Sequence, residues 1–138
     1  MVSFNYIPSP KKNEKGEIVG EIYRPMVTVR LCYKHKISPF PVNCILDSGS
    51  DRNLFPGWFA KNIGINLKKG KKKIIRGIGA MGITAYEHEV DIYVEDKKFK
   101  TTIDFSDDQQ VGLLGRSGFF NLFQKIIFKE KNKIIELH

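Results

Sequence analysis

The chain has 138 residues, 41% of them hydrophobic and 12% aromatic. That fits one domain able to bury a core of its own without disulfides or metal, and it excludes a disordered chain. The net charge of +8 admits an acidic partner. No apolar run approaches the ~20 residues that cross a bilayer, and the start, Met1-Val2-Ser3-Phe4-Asn5-Tyr6, lacks the charged and apolar stretches of a signal peptide. Cys32 and Cys44 make no disulfide framework. A reducing, cytoplasmic setting is therefore expected, with both thiols buried in strands.

Residues 1–20 read as an N-terminal tail or lead-in segment, polar and proline-punctuated over 8–15, and residues 21–138 as the domain. Over 27–31, apolar residues alternate with Thr28 and Arg30, which predicts a half-buried strand. Lys34-His35-Lys36 and Ser38-Pro39 turn the chain into the apolar run Val42-Asn43-Cys44-Ile45-Leu46, and the two runs form a hairpin. At the end of the second run stands Asp47-Ser48-Gly49-Ser50. A carboxylate at the end of a buried strand is rarely placed there for stability, because a buried charge without a partner is costly. The ordinary alternative is an Asx-turn, in which the carboxylate caps the backbone that follows it.

Residues 56–62 fit one short helical turn stopped by Gly64. Lys68-Lys69-Gly70-Lys71-Lys72-Lys73 concentrates positive charge. Without interleaved Arg and aromatic residues or a zinc knuckle, it reads as a solvated loop or a charged strand edge, and no nucleic-acid partner is expected. Ile74 and Ile75 open a strand that Gly77-Ile78-Gly79-Ala80-Met81-Gly82 interrupts. Alternation then resumes, with Val90, Ile92 and Val94 on one face. After a turn at 95–98, Phe99, Thr101, Ile103 and Phe105 alternate again. A polar loop at 106–110 leads into Val111-Gly112-Leu113-Leu114-Gly115-Arg116. Residues 117–123 predict a helix with Ser117 near its N-cap, and 126–128 with 134–135 a final hairpin. Many short strands at this spacing predict an all-β fold, a small closed barrel with one short C-terminal helix.

Gly77, Gly79 and Gly82 spell G-x-G-x-x-G. A dinucleotide site needs a helix immediately afterwards to hold the pyrophosphate, whereas Ile83-Thr84-Ala85-Tyr86 leads into strand alternation. The glycines read instead as a hairpin tip that bends and approaches a ligand backbone. His35, His88 and His138 are isolated from one another and from cysteine at metal-ligand spacing, so no metal is expected. Ser48 and Ser50 lack a G-x-S-x-G elbow.

Three parts in this order carry a resemblance: Cys44-Ile45-Leu46-Asp47-Ser48-Gly49-Ser50-Asp51, the segment from Arg76 to Gly82, and Leu113-Leu114-Gly115-Arg116-Ser117-Gly118-Phe119-Phe120. Together they resemble the retropepsin-like aspartic proteases, over roughly residues 21–137. The resemblance implies that Asp47 is catalytic, that Ser48 cross-braces the active-site loops and that Gly49 allows the tight turn. It implies that Arg76, Gly77, Ile78, Gly79, Ala80, Met81 and Gly82 form a substrate-binding flap. Leu113, Leu114 and Gly115 become the apolar layer beneath the site. Asp51 and Arg116 fill the positions of a structural ion pair, for which the planar fork of Arg is suited. Ser50 stands where the family often has Ala or Ser, and its hydroxyl is expected to hydrogen-bond the ionised Asp47 and extend activity toward acid.

In such enzymes two carboxylates share a proton, because they cannot both ionise at close range. This chain supplies one Asp-Ser-Gly, so the expected state is a C2 homodimer with one Asp47 from each subunit. The expected activity is hydrolysis of peptide bonds in a peptide or protein substrate, without a cofactor. Two other readings remain: a non-catalytic dimeric peptide-binding module on the same scaffold, and a small β-barrel that binds nucleic acid through residues 68–73.

Overall fold

The computed structural model describes residues 1–77, 79 and 81–138. Its first strands are β1 (Val2–Asn5), β2 (Ile7–Lys12), β3 (Ile18–Arg24) and β4 (Met26–Tyr33). Then come β5 (Lys36–Ile37), β6 (Val42–Leu46), β7 (Asn53–Pro56) and the α-helix α1 (Gly57–Asn62). β8 (Lys71–Ile75), β9 (Ile83–Val94) and β10 (Lys97–Ser106) follow, and β11 (Leu113–Leu114), β12 (Ile126–Lys129) and β13 (Ile134–Leu137) complete the order. The main sheet runs β5-β4-β6-β11-β7-β10-β9-β8. β4 also pairs with β9, through Arg30↔Tyr93, Leu31↔Ile92 and Cys32↔Asp91. That pairing closes six strands into a barrel and leaves β5 and β8 as flanking edges.

The period-2 pattern read from the sequence fills the barrel. Val27, Val29 and Leu31 of β4, Val90, Ile92 and Val94 of β9, and Ile103 and Phe105 of β10 are all buried. Phe55 meets Phe59 and Phe105 edge to face, at centroid distances of 5.3 and 6.3 Å. The helix α1 caps this end with Phe59 and Ala60, and Gly64, at φ 83°, follows it as expected. Cys32 and Cys44 are buried free thiols, and burial pushes the Cys44 thiol far up from its ordinary value. No helix among the described residues is long and apolar enough to cross a membrane.

Outside the barrel lie two smaller sheets. β1, β13 and β12 form a three-stranded antiparallel sheet with β13 in the middle, burying Ile135 and Leu137. β2 and β3 form a two-stranded ribbon. The segment expected as a polar tail is thus largely strand: Pro8 and Pro10 lie in β2, opposite Tyr23 and Glu21. Proline is tolerated there because β2 is an edge strand.

Two further expectations are corrected. Residues 117–123 form no helix beyond a single 3-10 turn over Phe120–Leu122. Gly118, at φ 109°, turns the chain before a helix can start, and burial of Phe119 fixes the segment against the core. The turn after β4 is only two residues, Lys34 and His35, with φ 48° and 66°. It lacks the Asn or Gly that marks such turns, which hid β5 in the sequence.

Candidate functional site

β6 and β7 are consecutive strands that do not pair with each other. β11 lies between them, parallel to β6 (Leu113↔Ile45, Leu114↔Leu46) and antiparallel to β7 (Leu113↔Leu54). The residues joining β6 to β7 are therefore pushed out as a loop around β11, and that loop carries Asp47. Its first residue is anchored by the Asp47 N–H, which donates to the Leu114 carbonyl at 3.0 Å. The Gly49 N–H donates to Asp47 Oδ1 at 2.9 Å, and the Ser50 N–H to the Asp47 carbonyl at 3.1 Å. Asp47 is half-buried, while Ser48 and Gly49 are exposed.

The far side of the loop is held by the segment that follows β11. The Arg116 N–H donates to the Ser50 carbonyl at 2.9 Å and the Ser117 N–H to the Asp51 carbonyl at 2.8 Å. Gly115 donates its N–H to Asn53 Oδ1 at 2.9 Å. A side chain at Gly115 would collide with the Arg52 backbone, so this glycine is required by close approach. Leu114 is fully buried beneath the loop. Leu113, beside it, is half-buried and lines the groove.

Opposite the loop stands the β8–β9 hairpin. Between the two runs an open groove of about 620 Å³, lined among others by Asp47, Gly49, Ile75, Arg76, Gly77, Met81 and Leu113. Gly79 takes φ 64° in the connecting turn, and Met81 is 91% exposed at its tip. Ile78 and Ala80 lie outside the described residues. Of the residues expected as a flap, Arg76, Gly77 and Met81 line this groove together with Asp47.

Two expected contacts are not made. The Ser50 hydroxyl donates to the Arg52 carbonyl at 2.7 Å, not to Asp47, because the turn directs it back along its own loop. Asp51 and Arg116 line one surface depression, but their side chains form no ion pair among those of the described residues. Both are exposed, and water competes well for such charges.

The ion pairing sits one residue further on. Arg52 donates from Nε to Asp104 Oδ2 at 2.9 Å and from Nη2 to Asp104 Oδ1 at 3.2 Å and Glu87 Oε1 at 2.8 Å. Lys73 Nζ lies 2.8 Å from Glu87 Oε1 and 3.2 Å from Asp104 Oδ1. Asp104 and Glu87 face each other across the β10–β9 ladder, where two like charges repel. Arg52 and Lys73 bridge them. The hydrogen bond that Arg52 donates to Asp104 holds the guanidinium charged more firmly than usual, against the opposing effect of burial. The hydrogen bond from Lys73 pulls Glu87 below the usual carboxylate range. Arg52, Lys73 and Asp104 all reach the groove wall, so this cluster ties the Asp47 loop to the base of the hairpin. Sequence reasoning missed it. Asp104 alternates with Ile103 and Phe105, which assigns it to the solvent face, yet its side chain has no exposed surface.

No family model matches the chain, and no curated protein matches it. Solved structures similar to it include an EIAV protease complexed with the inhibitor HBY-793. The two share 24% identity over 67% of this chain and 82% of that chain, with a TM-score of 0.48.

Proposed function

We propose that this chain is an aspartic endopeptidase that acts as a homodimer, each copy lending Asp47 to one shared centre. The observation that carries this reading is the setting of Asp47. Its carboxylate has one oxygen fixed by the Gly49 N–H, on a loop locked from beneath by residues 112–117, facing a groove whose other wall is a glycine-rich hairpin.

The chemistry follows from pairing two such groups. Two carboxylates in contact keep one proton between them. The ionised one takes a proton from a water as that water attacks the scissile carbonyl carbon, and the protonated one donates to the carbonyl oxygen. Collapse of the tetrahedral intermediate breaks the C–N bond as a proton passes to the departing amine. The pair titrates as a unit, and neither copy owns a separate pKa. An extended peptide in the groove pairs its backbone with Arg76, Gly77 and Gly82 of the hairpin as added β structure, and closure of that hairpin excludes water. Ser48, exposed beside Asp47, serves in this reading to brace one loop against its symmetry mate.

The test is incubation of the purified protein and of Asp47→Asn with a diverse peptide library, read by mass spectrometry. Cleavage by the wild type alone supports the proposal. Equal cleavage by both would falsify the assignment of Asp47, and no cleavage by either favours a groove that holds peptides without cutting them.

A further inference from the structure

The β2–β3 ribbon is a part of the molecule that its own chain leaves uncovered. Every residue of β3 is exposed, including Ile18 (69%), Val19 (56%), Ile22 and Tyr23. Neither strand joins the barrel or the terminal sheet. A lone two-stranded ribbon is marginal in water, and apolar side chains held in solvent forgo the free energy that burial gives. A covering surface is therefore needed.

The roots of the ribbon indicate which surface. The chain leaves β1 through Tyr6, which is buried and donates its N–H to the Lys133 carbonyl at 2.8 Å. It returns through Pro25, whose carbonyl accepts the Leu46 N–H at 2.9 Å, one residue before Asp47. The ribbon thus springs from the seam between the terminal sheet and the strand end that carries the carboxylate in need of a mate. Charge agrees with this. Two copies at +8 each repel, but in the ribbon Lys11, Lys12, Lys15 and Arg24 stand against Glu14, Glu17 and Glu21. An apolar and nearly neutral surface is where two such copies meet at least electrostatic cost.

We infer that the β2–β3 ribbon is an arm that docks on a second copy of this chain through one of its two apolar faces, that of Ile18 and Ile22 or that of Val19 and Tyr23. The arm then sets the protein concentration at which the paired site assembles. This rests on the proposed function for the need of a second copy.

The test compares the wild type with Ile22→Asp combined with Tyr23→Asp, and with a second variant in which residues 9–22 are replaced by a short Gly-Ser turn. Phe40→Asp, at an exposed apolar position outside the ribbon, is the control. Sedimentation equilibrium gives the dimer Kd, near-UV circular dichroism reports the barrel, and cleavage of the peptide library is followed against protein concentration. The expected result is a Kd raised about tenfold or more in both ribbon variants. The concentration at which activity appears should rise with it, while the barrel spectrum and the control stay unchanged. Ribbon variants that dimerise as tightly as the wild type overturn the arm, even where the wild type cuts peptides. A wild type that stays monomeric at every concentration overturns both the arm and the paired-carboxylate reading. A wild type that dimerises through the ribbon but is as inert as Asp47→Asn leaves the arm standing and removes the catalysis.

Discussion

Asp47 and Asp104 line one groove and live in opposite environments. Asp47 follows a strand, sits on an exposed glycine turn, and receives one backbone N–H on its side chain. Asp104 lies within a strand, has no exposed side-chain surface, and is gripped by Arg52 and Lys73. The difference separates a carboxylate open to what enters the groove from one whose charge is committed to holding the walls together. Under the proposed function, reactivity goes with the first arrangement and rigidity with the second.

The largest expected effect tests the reactive side. Asp47→Asn should reduce cleavage by at least ~10³-fold, since it removes the group asked to move protons, and should leave the thermal midpoint nearly unchanged. A comparable loss of stability would place Asp47 in the same class as Asp104. Asp104→Ala should do the reverse. It should destabilise by about 3 kcal/mol in urea unfolding, the low end for a broken buried pair because Arg52 and Lys73 keep partial contact with water. Any activity of the surviving folded protein should remain measurable.

Arg52→Lys sharpens the comparison. A lysine keeps the charge but loses the two-pronged contact with Asp104, so a cost of roughly 1–2 kcal/mol is expected. No measurable cost would mean that charge alone suffices. The pH dependence comes next. Glu87 has its carboxyl lowered in the folded state, so its contribution is fully present above the unfolded value of 4.5 and fades as pH falls through the depressed folded value. The wild type should therefore lose stability on acidification more steeply than Glu87→Gln, and urea midpoints collected down the acid limb would show it. Smallest of all, Ser50→Ala removes a bond to the Arg52 carbonyl and should cost about 1 kcal/mol or less. It should leave the pH–rate profile where it was, because the hydroxyl does not touch Asp47.

A second pair of regions explains what was legible in the sequence. β3 and β4 are separated by a single proline, and both are rich in apolar residues. β4 buries Val27, Val29, Leu31 and Cys32, whereas β3 buries nothing. In β4, Thr28 and Arg30 mark the outer face, so alternation is readable. In β3 the apolar residues come as the adjacent pairs Ile18-Val19 and Ile22-Tyr23, which point to opposite faces and give no inner side. The helix expected over 117–123 failed for a related reason. Its phenylalanines follow helical spacing, but Gly118 takes a left-handed turn to sit against Asn53, a contact 65 positions apart in the chain that local propensity does not encode.

By itself, the sequence determined the local statements: strands where apolar residues alternate, glycines where the chain must bend, and an Asp-Ser-Gly turn after a buried run. These depend on the chain's own backbone sterics and on the period of its side chains. Only the tertiary structure decided which distant segments meet. It threaded β11 between β6 and β7 to lock the loop of Asp47. It passed over Asp51 and Arg116 as an ion pair, and it closed Arg52, Asp104, Glu87 and Lys73 into one cluster. Such choices follow from burial and charge compensation summed over the whole barrel, and a residue pattern read a few positions at a time does not contain that sum.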